Sequence, residues 1–129
     1  VKLHADPRNA SLNTVTGYSA VGIEINAVAF PHSIVVAPEG PVASWGIQDI
    51  AALDADVVSK LANGQPELVV LGTGRRQRFP HPRVAAQLAG QRIGLEVMDT
   101  AAACRTYNIL MAEGRRVVGA FIIESELSS

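Results

Sequence analysis

The sequence predicts a single α/β domain of three layers with a mixed central sheet, and three observations carry that expectation. Apolar runs of strand length, Leu68-Val69-Val70-Leu71 and Val117 to Ile123, are too continuous for a strand with one wet face, so they belong to a sheet covered on both sides. Helical patterns with polar caps alternate with them from Asp54 onward, the alternation that builds right-handed crossover connections. Ahead of them, Val21, Ile23 and Ile25 alternate with Gly22 and Glu24 at the period of a half-buried strand, which puts antiparallel strands at the start of the sheet.

The elements follow in order. Residues 1–16 are polar and turn-prone, with Asp6-Pro7 and Asn9 as breakers, and read as a flexible arm. His4 and Asp6 offer two metal ligands without a third, so they imply a solvated tail and no metal site. The domain proper runs over residues 17–124, with residues 125–129 as a polar tail. Asn26-Ala27 turns the first strand toward Val28 to Phe30, and Ser33 to Ala37 is a third strand stopped by Pro38 and Gly40. Trp45 sits among turn residues and reads as a lid over one end of the core.

Asp54 caps the first helix, with Leu53 placed to pack on Val58, apolar Val57, Val58 and Leu61 on one face, and Asn63-Gly64 as the stop. Pro82 to Ala89 is a short second helix with Val84, Ala85 and Leu88 on one side. Ile93 to Met98 returns as a strand. Asp99-Thr100 caps a longer helix, Ala101 to Glu113, ended by Gly114, and Arg115-Arg116 lie where positive charge suits a helix C-terminus.

Composition narrows the function classes. The 129 residues are enough to bury about two thirds of the unfolded surface as one domain. With 48% hydrophobic and 18% charged residues, disorder is confined to the ends. Cys104 is the only cysteine, which excludes an internal disulfide and leaves the redox compartment open. No segment reads as a signal peptide and no apolar run approaches the roughly 18 residues that span a bilayer, so the expectation is a soluble cytoplasmic protein. The alanine- and arginine-rich composition points to a bacterial source. Charge is segregated: residues 75–116 carry +5, with eight arginines, and the remainder carries −6. That layout marks either an anion-binding or acidic-partner face, or arginines spread over helix exteriors. Aromatic groups do not interleave with them as in a nucleic-acid groove.

The candidate site is the pair of loops at the carboxyl ends of two successive strands, where ligands gather in open α/β sheets. One is Gly72 to Phe79, holding Gly72, Thr73, Gly74, Arg75, Arg76, Gln77, Arg78 and Phe79; the other is Asp99-Thr100 at a helix N-terminus. Three arginines and free helical N–H groups around one crevice would suit a small anion. Gly-Thr-Gly-Arg-Arg-Gln departs from dinucleotide and P-loop patterns, because Gln77 stands where a third glycine belongs and no Gly-Lys-Ser/Thr follows. The plain alternative is that both glycines shape a tight turn and Asp99 is a helix cap. Cys104, near the positive end of the long helix, joins Ala103, Tyr107, Leu110 and Met111 on the apolar face and reads as a buried thiol. Ala101, Arg105, Asn108 and Ala112 share another stripe, with Ile109 beside it, which serves either internal packing or a second protein or protomer.

Two segments carry a family resemblance: Val69 to Pro80, V-V-L-G-T-G-R-R-Q-R-F-P, and Gly94 to Leu110, G-L-E-V-M-D-T-A-A-A-C-R-T-Y-N-I-L. They resemble a family of small proteins classed as a domain of unknown function, which includes the mitochondrial respiratory complex I assembly factor 3 and an adipogenesis-associated relative. Weaker matches at Tyr18, Ile34 to Pro38 and Trp45 extend it over residues 18–123. The resemblance implies a three-layer fold with a mixed sheet, no established catalysis, no cofactor, and action through protein contacts while a membrane complex is assembled. The family motif falls on Gly72, Thr73, Gly74, Gln77, Phe79, Asp99, Thr100, Cys104, Arg105, Tyr107 and Asn108. One departure is Ala27, where the family has glycine after asparagine. Residues 1–16 also lack the composition of a mitochondrial targeting segment. The expected function is therefore a non-enzymatic interaction or assembly-factor-like module; the alternative is a small enzyme or anionic-metabolite binder in the crevice, with Asp99 or Cys104 reactive.

Overall fold

The computed structural model describes residues 1–3 and 11–125, and the readings placed on His4, Asp6-Pro7 and Asn9 and on residues 126–129 lie outside them. The chain runs through β1 (Val15–Ser19), β2 (Gly22–Ile25), β3 (Val28–Phe30), β4 (Ile34–Val36), β5 (Ala43–Ser44), α1 (Ala55–Leu61), β6 (Leu68–Gly72), α2 (Pro82–Ala89), β7 (Gly94–Met98), α3 (Thr100–Ala112) and β8 (Val117–Phe121). The expected mixed sheet is present, in the order β5-β4-β8-β6-β7, with β8, β6 and β7 parallel and β4 and β5 antiparallel.

The early antiparallel strands divide differently from the expectation. β1, β2 and β3 form a separate three-stranded meander, and only the Ile34–Val36 strand joins the central sheet, beside β8. Three layers result. On one face of the sheet α1 and α2 enclose Val69, Leu71, Val118, Ala120 and Ile122, with Leu53 and Val58 packed among them and Trp45 partly buried at the margin. On the other face α3 and the meander together cover Leu68, Val70, Val117 and Phe121. Alternation along β6 and β8 sends successive side chains to opposite layers, which is why every residue of both is buried.

β1 begins at Val15, inside the segment expected as an arm through residue 16, and Val15 is fully buried. Thr14 to Ser19 shows too little apolar alternation to reveal this strand. What holds it is long-range: Asn13 Nδ2 donates to the carbonyls of Ala37 and Gly40, at 2.9 and 2.7 Å, and Tyr107 Oη donates to Asn13 O at 2.8 Å. The helices match their caps. Asp54 accepts from Val57 N, Pro82 opens α2, and Asp99 accepts from Ala102 N. Ala85 is exposed, not on the packed side of α2, because Val84 and Leu88 suffice to cover the sheet. Gly114, at φ 80°, closes α3 with Gly114 N to Met111 O and Arg115 N to Leu110 O, the paired bonds of a left-handed helix stop.

The β2–β3 turn carries the family departure. Ile25 pairs with Val28 across a two-residue loop in which Asn26 (φ 48°) and Ala27 (φ 67°) are both left-handed. That geometry favours glycine at the second position, and alanine pays a steric penalty there. Ala27→Gly is therefore expected to stabilise the fold by about 0.5–1 kcal/mol, the relief of roughly 1–2 kcal/mol of left-handed strain less the entropy glycine adds to the unfolded chain. A urea titration of both proteins measures it, and an unchanged midpoint would refute the strain.

Candidate functional site

The strand order places the two loops side by side. The β6–α2 connection lies on one layer and the β7–α3 connection on the other, so their starts diverge from adjacent parallel strands. Thr73 N donates to Met98 O at 2.9 Å, and Thr100 N to Gly74 O at 2.9 Å. The crevice between them is closed by the chain itself. Thr100 Oγ1 accepts from Gly74 N at 2.9 Å and donates to Ile122 O at 2.8 Å, tying β6, α3 and the end of β8 in one buried knot. Thr73 is buried as well; its Oγ1 donates to Arg76 O at 2.7 Å and accepts from Arg78 N at 3.1 Å, which folds the loop around it.

The anion this loop holds belongs to the protein. Glu124 is only 8% exposed, and its Oε1 accepts from Arg75 N at 2.6 Å while Oε2 lies 3.9 Å from Arg78 Nη2. Gly74 has φ +107°, and a Cβ there would fall on the Glu124 carboxylate. Glycine is thus required twice over, by conformation and by space. Sequence reasoning placed Glu124 at the last position of the domain, beside the polar tail, and gave it no role; an acid directly after an apolar strand, in a chain whose residues 75–116 are basic, was the available signal.

The remaining expected site residues separate into two groups. Arg75, Arg76, Gln77 and Phe79 point outward from the loop, Phe79 at 81% exposure, with Gln77 Nε2 donating to Val97 O at 3.1 Å. Arg105 and Asn108 face β1. Arg105 Nη1 donates to Tyr18 Oη at 2.6 Å with its guanidinium 5.9 Å from the Tyr18 ring centroid. Asn108 Oδ1 accepts from Val15 N at 2.9 Å and its Nδ2 donates to Val15 O at 2.8 Å. A cleft of about 420 Å³ lies between the knot and the β1–β2 turn, walled by Tyr18, Arg75, Thr100, Ile122 and Glu124; Asp99 and Cys104 are not among its lining residues. Among the described residues no group of three or more His, Cys, Asp or Glu side chains is placed to hold a metal ion.

Cys104 is fully buried, and burial pushes its thiol from 9.0 up to about 12. The same burial raises the Tyr107 phenol. Both groups therefore favour the neutral form in the fold, so the stability they contribute is complete below their unfolded pKa values and declines as pH rises beyond about 9. Native protein is expected to resist iodoacetamide at pH 8 and to react only in urea, with a urea midpoint that falls between pH 9 and 12. Rapid labelling of the folded protein would show an accessible thiolate that this packing excludes.

With the geometry in place, comparison with known proteins gives the setting. The chain is 33% identical over 118 residues to the zebrafish protein named NADH dehydrogenase (ubiquinone) 1 alpha subcomplex assembly factor 3, a match covering 89% of this chain and 67% of that one. It is 31% identical over 71 residues to the 13 kDa major membrane protein of Francisella tularensis, covering 55% of this chain and 58% of the other. A crystal structure of a Bordetella parapertussis protein superposes with a TM-score of 0.83 at 50% identity, over 87% of this chain and 96% of that one. No helix among the described residues is long and apolar enough to cross a membrane. The family model described as a protein of unknown function (DUF498/DUF598) matches residues 15–122, and the chain belongs to that family.

Proposed function

We propose that this protein is a non-enzymatic interaction module, assembly-factor-like, that engages a partner protein through the outer face of the Gly72–Phe79 loop. The observation that carries this reading is the division of labour within the loop. Its inward groups, on Thr73, Gly74 and the Arg75 amide, are consumed by Thr100, Glu124 and the loop itself, while Arg75, Arg76 and Phe79 stand exposed on that fixed base. An exposed aromatic flanked by guanidinium groups on a rigid support has the composition of an interface anchor. The naming of the zebrafish relative as an assembly factor supports the same reading.

The alternative, an anionic-metabolite site or a reactive Asp99 or Cys104, draws less support. Glu124 occupies the position an anion would take beside Gly74 and Arg75, Asp99 is spent as a cap, and the Cys104 thiol is buried. The triple variant Arg75→Ala, Arg76→Ala, Phe79→Ala is expected to keep the wild-type melting curve and to lose proteins that co-purify with the wild-type chain from its native host. Retention of every co-purifying protein by the folded variant would overturn the proposal.

A further inference from the structure

The strands that end the two sheets are protected unequally. β5 has two residues, and β3 has three with Pro31 directly after it. β1 is covered along its outer side, by Val1 and Leu3 bonding Tyr18 and Thr16 and by the Asn108 amide on Val15. β7 has five residues and, among the described residues, no neighbour beyond β6. Gly94 N donates to Glu67 O and Met98 O accepts from Thr73 N, so Gly94, Glu96 and Met98 turn their backbone groups toward β6. Leu95 and Val97 must then turn theirs outward, because the direction alternates along a strand. Among the described residues one of those four outward groups is engaged, the Val97 carbonyl held by Gln77. A free edge of this length is a template for another strand unless it is guarded, and here the guards are the Gln77 amide and the exposed Glu96 side chain.

We propose that the outer edge of β7 receives an extended segment of a partner protein as a sixth strand of the central sheet, with a basic residue opposite Glu96 and acidic residues toward its ends. This deepens, and rests on, the reading of the neighbouring loop as a partner surface. Charge selects the occupant. Exposed Arg76 adjoins Gln77 at one end of the edge, exposed Arg92 precedes β7 at the other, and Glu96 is central, a plus-minus-plus pattern that an acidic-basic-acidic strand complements. A second copy does not fit it. Two-fold antiparallel pairing that satisfies all four outward groups sets Glu96 directly opposite the other Glu96, where like charges destabilise.

The test uses two synthetic peptides of alternating threonine and valine with aspartate near both ends, one with a central lysine and one with a central glutamate. The lysine peptide is expected to bind the full chain and to slow amide exchange at Leu95 and Val97, with roughly five-fold preference over the glutamate peptide. Glu96→Lys should reverse the preference, and Gln77→Ala, which frees the Val97 carbonyl, should tighten binding of the lysine peptide. Absence of binding, absence of preference, or protection of these amides by self-association at high concentration overturns the proposal. If Glu96→Lys keeps every co-purifying partner that the loop triple variant loses, the edge is excluded and the loop reading stands; if neither variant loses any, both fall.

Discussion

Gly72→Ala is expected to lower stability by about 3–5 kcal/mol, enough to unfold a large fraction of a domain whose total stability lies in the usual range of about 5–15 kcal/mol. Gly72 is the last residue of β6, at the point where α3 begins on the same layer. A Cβ there would stand 2.8 Å from Thr100 Oγ1, 2.9 Å from Thr100 Cα and 3.1 Å from Ala103 Cβ. Rotating the Thr100 hydroxyl away would not relieve the clash, because its Cα belongs to the helix backbone, so α3 itself must retreat. Overpacking of this kind costs about 1–3 kcal/mol. Retreat of Thr100 also loosens the bonds from Gly74 N and to Ile122 O, both buried, and each such loss costs roughly 1–3 kcal/mol. Thermal denaturation checks the sum. Thr100→Val, which removes the hydroxyl and leaves the packing, separates the two contributions: it should cost about half as much, and an equal loss would mean that the hydrogen bonds alone matter.

Much of this architecture was legible in the sequence because local and global signals agree there. Apolar continuity gave β6 and β8, and Asp54, Asp99, Pro82, Gly64 and Gly114 bracket helices whose ends the structure places within three residues of those marks. The adjacency of the two loops was also readable, since consecutive parallel strands with intervening helices must release them at one end of the sheet. What escaped was every feature fixed by residues distant along the chain. β1 owes its place to Asn13, Tyr107 and Asn108, the last more than ninety residues away, and nothing in Val15 to Ser19 announces a partner on α3. Glu124 escaped for the same reason: its carboxylate is buried by a loop about fifty residues earlier. Separating the meander from the central sheet depends on how Phe30 to Ser33 turns, which carries no periodicity to read.

Asn108→Ala is the second large effect expected, about 2–4 kcal/mol, and it isolates the contact that fastens the meander to the rest of the domain. In a sheet, the outward N–H and C=O of an edge residue are met by the N–H and C=O of a neighbouring strand; at Val15 both are met by one carboxamide, whose oxygen accepts and whose nitrogen donates. Alanine leaves the two backbone groups of a fully buried residue without partners, each at roughly 1–3 kcal/mol. Asn108→Asp discriminates this from loss of packing, since a carboxylate of nearly the same shape still accepts from Val15 N but cannot donate to Val15 O and repels it. Aspartate should therefore be at least as damaging as alanine at pH 7 and recover in acid as the carboxyl regains a proton, whereas a packing effect would be small for aspartate at every pH. Arg105→Ala, one turn away on the same helix, is the internal comparison. Arg105 is exposed and holds Tyr18 through its phenol and ring, so its loss should cost no more than about 1 kcal/mol. Chemical denaturation of the three variants orders them, and hydrogen exchange at the Val15 amide reports the same bond directly. If Asn108→Ala stays within 0.5 kcal/mol of wild type, a marginal change by the usual ~0.5 kcal/mol standard for surface sites, the meander is held by its apolar contacts with α3 and β4 alone.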